Sequence, residues 1–381
     1  MSRHWNVVND CFEISEMPFY WRLSQSTESA ADISSTLPIR MIADSVFDYL
    51  KFEPSEEEWS NIDKAYQQNE NIGFVNPNSG QLQTYGSSVN NFFLASLQKF
   101  TPGTIYEIGC GAGFSIKFLK ENGWNVVGID PSEYSLKWSR ELGFSLINQF
   151  FTEELLDRPA DLIYCNDVFE HVPQVEQFSK TVYDSLEDGG VFCFATTNST
   201  QSIAIGDISM LEHQHVNMFT EKSIHLILRQ AGFSDINIQG GSYGNTFHVT
   251  AQKKKSGRQT PLPETDISCE GYFERASERV EAFGRFYDET EDLQCYVPLR
   301  SIPYLATVGD FGNCPVYDSN EAWRGKYIDG YRSPIRSPKD LEFSDGTKFF
   351  VGSLTFFSEI KNMLVELGVQ RDAIRSIREL K

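Results

Sequence analysis

Between about residue 90 and residue 252, amphipathic stretches of helical period alternate with short apolar runs. The period of 3.6 predicts helices over Asn91–Phe100, Phe114–Asn122, Tyr134–Leu142, Val175–Ser185 and Glu221–Ala231. Strand-type runs fall between and after them, at Thr104–Ile108, Asn125–Ile129, Ser145–Asn148, Asp161–Cys165, Gly190–Thr196, Asp235–Gln239 and Thr246–Ala251. Asp161–Cys165 is nearly unbroken in its apolar character, as a strand covered on both faces must be. Alternation of this kind predicts a mostly parallel sheet with helices on either side.

The flanks read differently. Toward the N-terminus, Asp44–Phe52 and Glu56–Gln67 have helical spacing, and residues 71–88 are rich in Asn, Gly and Ser, as loops are. Residues 253–263 have the composition of a linker. A second α/β pattern follows: a helix over Glu270–Glu278, strands at Val280–Gly284, Pro315–Ser319 and Lys348–Gly352, and an amphipathic helix over Phe356–Leu367. Pro298 and Pro303 interrupt the helix expected after Val280–Gly284. The expected fold class is α/β: a Rossmann-like domain over 89–255, a linker over 256–268, a second smaller Rossmann-like α/β domain over 269–381, and a mostly helical N-terminal segment over 1–88.

The chemistry concentrates in Glu107–Ser132. A strand ends at Ile108, glycines follow at Gly109, Gly111 and Gly113, and a helix begins near Phe114. Glycines let the backbone turn tightly and approach a ligand, and the N–H groups of the helix start then face it. The next strand ends in Asp130, where a carboxylate can accept both hydroxyls of a ribose. The spacing is GxGxG, with Phe114 where a dinucleotide fingerprint has Gly or Ala. Asn166 and Asp167 close the fourth strand, at the carboxyl-end crevice where such sheets bind ligands.

Composition narrows the partners. The net charge of -20 disfavours nucleic acid and anionic membrane surfaces. No apolar run approaches the roughly 20 residues that span a bilayer, and the start is polar, so a cytoplasmic protein without membrane insertion is expected. Seven scattered cysteines without a CxxC pair predict neither a disulfide framework nor a zinc site. A chain of 381 residues is long enough for two cores.

Residues 105–132, 160–178 and 186–199, in this order and spacing, resemble the class I S-adenosylmethionine (SAM) dependent methyltransferases over about 100–250. The resemblance implies SAM as cofactor, S-adenosylhomocysteine as product, and no metal. By it, Glu107, Gly109, Gly111 and Gly113 hold the methionine end and Asp130 the ribose. Phe150 and Phe151 fall at the adenine pocket or pack in the core, and Asn166 and Asp167 lie beside the sulfonium. Glu170 and His171 match the family's acid–His pair, which serves as a helix start or in catalysis.

The segment Leu211–Phe233 also resembles nucleotide-sugar C-methyltransferases, with Glu212, His213, Gln214 and His215 in the place of that group's Tyr-His-Glu-His run. Residues 316–341 resemble that group's Rossmann-like C-terminal domain. The chain departs from it at Glu212 and Gln214, and it lacks the group's four N-terminal cysteines. The resemblance implies a sugar or nucleotide-sugar acceptor, methylated on oxygen or carbon, with Tyr85, Glu212, Gln214 and Asn245 lining its site. A histidine near pKa 6.5 suits proton removal. If the run is extended, His213 and His215 share one face, and His215 is favoured as the base because it lies nearer Phe219 and the following helix. A homodimer is compatible with this reading. The alternative of a different class is a non-catalytic SAM- or nucleotide-binding protein whose C-terminal domain binds a partner.

Overall fold

The computed structural model describes residues 4–19, 23–24, 33–68, 81–242, 244–254, 260–265 and 267–381. The N-terminal segment is built on a sheet, not on the expected helices. Its strands are β1 (Trp5–Val8), β2 (Cys11–Pro18), β3 (Leu23–Ser24), β4 (Thr36–Asp44) and β5 (Tyr49–Phe52), followed by α1 (Glu56–Gln68). Phe12 and Ile14 on β2, and Leu37, Ile39 and Met41 on β4, alternate inward with period two and are buried. The stretch 44–52, which has helical spacing, is a hairpin turn and a strand. Asp44 Oδ1 accepts the backbone N–H of Val46 and of Phe47, and Asp48 takes a positive φ of 59°, so a local side-chain turn wins over the helix.

The chain then runs through α2 (Gln81–Phe100), β6 (Ile105–Ile108), α3 (Phe114–Glu121), β7 (Val126–Ile129), α4 (Glu133–Leu142), β8 (Ser145–Ile147), β9 (Ala160–Asn166), α5 (Val175–Asp184), β10 (Leu186–Thr197), α6 (Thr200–Ile205), β11 (Asn217–Met218), α7 (Glu221–Ala231), β12 (Ser234–Gly240) and β13 (Thr246–Gln252). Helix α2 begins inside the stretch read as loop, of which 71–80 lie outside the described residues. Seven strands form one sheet in the order β12-β13-β10-β9-β6-β7-β8. The pairs from β10 to β8 are parallel, and β13 and β12 add antiparallel strands at one edge. Local signals agree with this packing. Ser132 caps α4 by accepting the N–H of Ser135, and Thr220 opens α7 in a capping box with Ser223. The strand order reverses between β6 and β9, which opens a crevice at their carboxyl ends.

The last part contains α8 (Tyr272–Asp288), β14 (Leu293–Tyr296), α9 (Pro298–Thr307), β15 (Val316–Tyr317), β16 (Tyr327–Ile328), β17 (Ile335–Arg336), β18 (Lys348–Val351), α10 (Phe357–Glu366) and β19 (Ile374–Arg375). The expected strand Val280–Gly284 is the interior of α8, because Ala276, Val280 and Phe283 repeat at helical spacing toward the core. Pro298 stands at the first turn of α9, where its missing N–H costs nothing, and Pro303 is accommodated inside the same helix. A five-stranded, all-parallel sheet results, in the order β17-β15-β14-β18-β19.

These parts share packing. One buried cluster joins Phe12, Ile39 and Met41 of the N-terminal sheet, Ile203 and Leu211 of the centre, and Phe283, Tyr304 and Phe350 of the last part. Strand β11 leaves the central fold to pair antiparallel with β5. No helix among the described residues is long and apolar enough to cross a membrane.

Candidate functional site

The glycine loop lies between β6 and α3. Gly109 and Gly113 have φ of 68° and 70°, and a Cβ on them would stand 2.5 Å from Val168 Cγ2 and 2.2 Å from Phe144 Cε1, so both need glycine. Asp130, at the end of β7, faces the loop: its Oδ2 accepts the Gly111 N–H at 3.0 Å, and its Oδ1 accepts the N–H and Oγ–H of Ser132 at 2.9 and 2.6 Å. Glu107 is buried beneath them, and Tyr164 donates its hydroxyl to Glu107 Oε2 at 2.9 Å. Burial pushes the Glu107 carboxyl up to about 8, with Asp130 adding to the shift and the Tyr164 hydrogen bond opposing it. A buried acid with this bias gains most from a cationic ligand.

Across the crevice, β9 ends in Asn166 and Asp167. Tyr85, on α2, donates its hydroxyl to Asp167 Oδ1 at 2.5 Å and lies 3.2 Å from Asn166 Oδ1. Asp167 has φ of 49°, a conformation rare outside glycine. Burial and the carboxylate of Glu170 raise it to about 6. Just beyond, Glu170 is 0% exposed. His171 meets His215 with ring centroids 4.8 Å apart. His171 Nδ1 lies 2.8 Å from the Gln214 carbonyl, and His215 Nδ1 lies 2.5 Å from Glu212 Oε1. Burial and the neighbouring His215 pull His171 down to about 4. For His215 burial acts in the same direction but is outweighed by Glu212, and its pKa is raised.

A methyltransferase-domain family model matches residues 81–238, which hold the glycine loop, Asp130, Asp167 and the two-histidine cluster. The chain carries a class I SAM-dependent methyltransferase domain. SAM is its cofactor, and it is an enzyme of that class. A ubiquinone biosynthesis O-methyltransferase of Idiomarina loihiensis is 28% identical over 174 residues, covering 40% of this chain and 72% of the relative. The mitochondrial ubiquinone biosynthesis O-methyltransferase of Mus musculus is 31% identical over 117 residues, covering 27% of this chain and 31% of the relative. Human N-acetylserotonin methyltransferase, solved with SAM, overlaps with a TM-score of 0.41 at 19% identity, covering 53% of this chain and 61% of that one. These relatives overturn the expected sugar or nucleotide-sugar acceptor, since their names place O-methylation in ubiquinone biosynthesis. The run at 212–215 has Glu212 and Gln214 in two of the four places of the sugar-type run, so only its two histidines are shared with it.

Within the methyltransferase domain the expected site residues divide. His213 does not share a face with His215. It is 1% exposed, its Nε2 meets the Leu37 carbonyl at 3.1 Å, and it packs edge-on against Phe19 and Phe52. The run bends here because Phe52 and β11 draw it into the N-terminal sheet, so His213 is a core residue and not a base. Phe150 is 70% exposed, whereas Phe151 packs edge-on against Phe178. Asn245 is exposed and its carbonyl accepts the N–H of Asn198. Gln214 is buried and contributes its carbonyl to His171. Arg300, on α9, donates to the Ser209 carbonyl at 3.3 Å, and its charge reaches His215. Nothing local in the sequence points to Arg300, which lies 85 positions from His215.

Proposed function

We propose that this enzyme transfers the methyl group of SAM to a hydroxyl oxygen of a small quinone-type precursor. The observation that carries the reading is the pair His171–His215, oriented by Gln214 and Glu212 beside Asp167. A hydroxyl is a weak nucleophile until its proton is withdrawn, and this is the one cluster among the described residues where histidines meet acids at the mouth of the cofactor crevice. The names of the relatives support oxygen as the methylated atom.

In this reading Glu107 and the loop Gly109–Gly113 take the methionine end of SAM, Asp130 takes its ribose, and Asn166, Asp167 and Tyr85 border the sulfonium. Glu212, Gln214 and His215 face the acceptor, and catalysis is largely alignment of the oxygen with the methyl carbon. The all-parallel sheet of residues 293–375 serves as a second, smaller Rossmann-like unit that covers the acceptor side through α9 and Arg300. Incubating the enzyme with SAM and a panel of dihydroxybenzene and hydroquinone acceptors should release S-adenosylhomocysteine together with an O-methyl ether. Methylation confined to amine acceptors would overturn the proposal.

A further inference from the structure

Arg300 belongs to the last part of the chain, outside the residues 81–238 that the methyltransferase family model matches. It lies in the first turn of α9, and its side chain is half-buried. The backbone beneath it is held in place. A Cβ on Gly352, just after β18, would stand 2.5 Å from the Arg300 carbonyl carbon, so the two backbones touch. One turn further along α9, Tyr304 donates its hydroxyl to Asp207 Oδ1 at 2.8 Å and accepts the Ile208 N–H at 3.2 Å. Side chains four positions apart share a helix face, so Arg300 reaches the same segment, where its Nη1 donates to the Ser209 carbonyl at 3.3 Å. That segment leads directly into Glu212 and His215.

The rest of the guanidinium is uncommitted. Among the described residues its Nε and Nη2 have no hydrogen-bond partner, and no carboxylate lies within ion-pair distance of it. A neutral carbonyl is a weaker partner for a guanidinium than a carboxylate is. In a chain with 53 acids against 33 lysines and arginines, a cation left without an acid is a place for the charge of a ligand. With Nη1 taken, the free edge is the fork of Nε and Nη2, whose parallel N–H bonds match the two oxygens of a carboxylate. The charge of Arg300 also acts on His215, so the fork lies on the acceptor side. Asp167, Glu170 and Glu212 stand around that histidine, and their charges favour a ligand with one negative charge over a doubly charged phosphate monoester. We propose that Arg300 binds a carboxylate on the acceptor, so that the preferred acceptor is an aromatic acid carrying the hydroxyl to be methylated. That role for Arg300 rests on the O-methylation reading and names the acceptor class within it. The methyltransferase domain then holds SAM, while the last part of the chain selects the acceptor. No bond is made or broken at Arg300, which fixes the acid end of the ring while the hydroxyl points to His215.

The test supplies the full chain with SAM and a panel of dihydroxybenzoates, each paired with the dihydroxybenzamide of the same ring pattern as its neutral isostere. For the best pair, kcat/KM should favour the acid by about 10-fold or more, chiefly through KM, the scale of one charge-assisted pair. Arg300→Gln should remove this preference, and Arg300→Lys should retain part of it. Arg300→Glu should turn the preference toward the matching dihydroxybenzylamine. Lys339→Gln, which breaks an exposed ion pair with Glu321, should keep the wild-type preference whole. Binding of S-adenosylhomocysteine by each variant checks that the fold is intact. Equal use of acid and amide by the wild type, or a preference that survives in Arg300→Gln, overturns the role of Arg300 and leaves the O-methylation reading standing. Methyl transfer to carbon or nitrogen alone sinks that reading, and calorimetry of dihydroxybenzoate on the S-adenosylhomocysteine complex then decides for Arg300. Binding weakened about 10-fold or more in Arg300→Gln supports the carboxylate anchor, and unchanged binding overturns it.

Discussion

Glu107 is an acid that the protein alone does not favour ionising, and in the proposed function the cofactor's ammonium group is the partner that does. Its carboxyl, pushed up to about 8, is mostly protonated at pH 7, so binding a cation there must expel the proton. SAM affinity should therefore rise with pH up to about 8. Calorimetry at pH 7 in buffers of different ionisation enthalpy should detect proton release, and Glu107→Gln should abolish it. Asp130→Ala should weaken S-adenosylhomocysteine by about 1–3 kcal/mol, the scale of a lost charged hydrogen bond, read by the same titration. The histidines separate by assay. His215→Ala should cut turnover by about 100-fold or more with folding intact. His213→Ala should instead cost about 2–4 kcal/mol in denaturant stability, since it opens a cavity between Phe19 and Phe52 and removes the bond to Leu37. The glycine loop and its two flanking acids were legible in the sequence because one strand–loop–helix holds Glu107 to Gly113 and the next strand ends at Asp130. The partnership of His171 with His215 was not, because 44 positions separate them and no local period reports a contact of that kind.

At the scale of elements, the segment between α6 and β11 is held by a buried acid. Asp207 is 0% exposed and accepts bonds from Ser202 Oγ, from Ser209 N–H and Oγ, and from the Tyr304 hydroxyl of α9, while Tyr272 of α8 donates to its carbonyl. Asp207→Ala would strand these donors and loosen the approach to Glu212 and His215. We expect it to destabilise the fold by about 2–4 kcal/mol and to lower turnover, with chemical denaturation and steady-state assays as the checks. The two elements that differ from expectation share one cause: a short apolar spacing alone suggests a helix over 44–52 and a strand over Val280–Gly284. The first was decided by an Asp44 turn and pairing with β4, the second by its place inside a 17-residue helix. The long periodic helices and the buried strand at Asp161–Cys165 were legible because burial on both faces leaves a strong pattern.

The molecule as a whole joins its N-terminal and C-terminal sheets through one buried cluster that also takes in α6 and the segment after it, which changes the expected behaviour of its parts. The sequence pattern suggests that residues from about 265 onward fold on their own. In the structure Phe283, Tyr304 and Phe350 share packing with Phe12, Ile39 and Leu211. A chain ending at Lys254 would expose that apolar surface, so it should aggregate or lose cooperative unfolding and not persist as a soluble SAM-binding fragment; light scattering and thermal melts decide this. The N-terminal sheet belongs to the same argument, since β5 grips β11 and Val216 beside His215. In the proposed function all of this serves one chemical event, transfer of a methyl group from sulfur to oxygen. The direct measurement supplies SAM labelled in its methyl group together with dihydroxybenzene or hydroquinone acceptors and locates the label in the product by mass spectrometry. The account predicts the label in an O-methyl ether, formed one-for-one with S-adenosylhomocysteine and lost in His215→Ala. Label found only on carbon or nitrogen, or oxygen methylation that persists in His215→Ala, would contradict it.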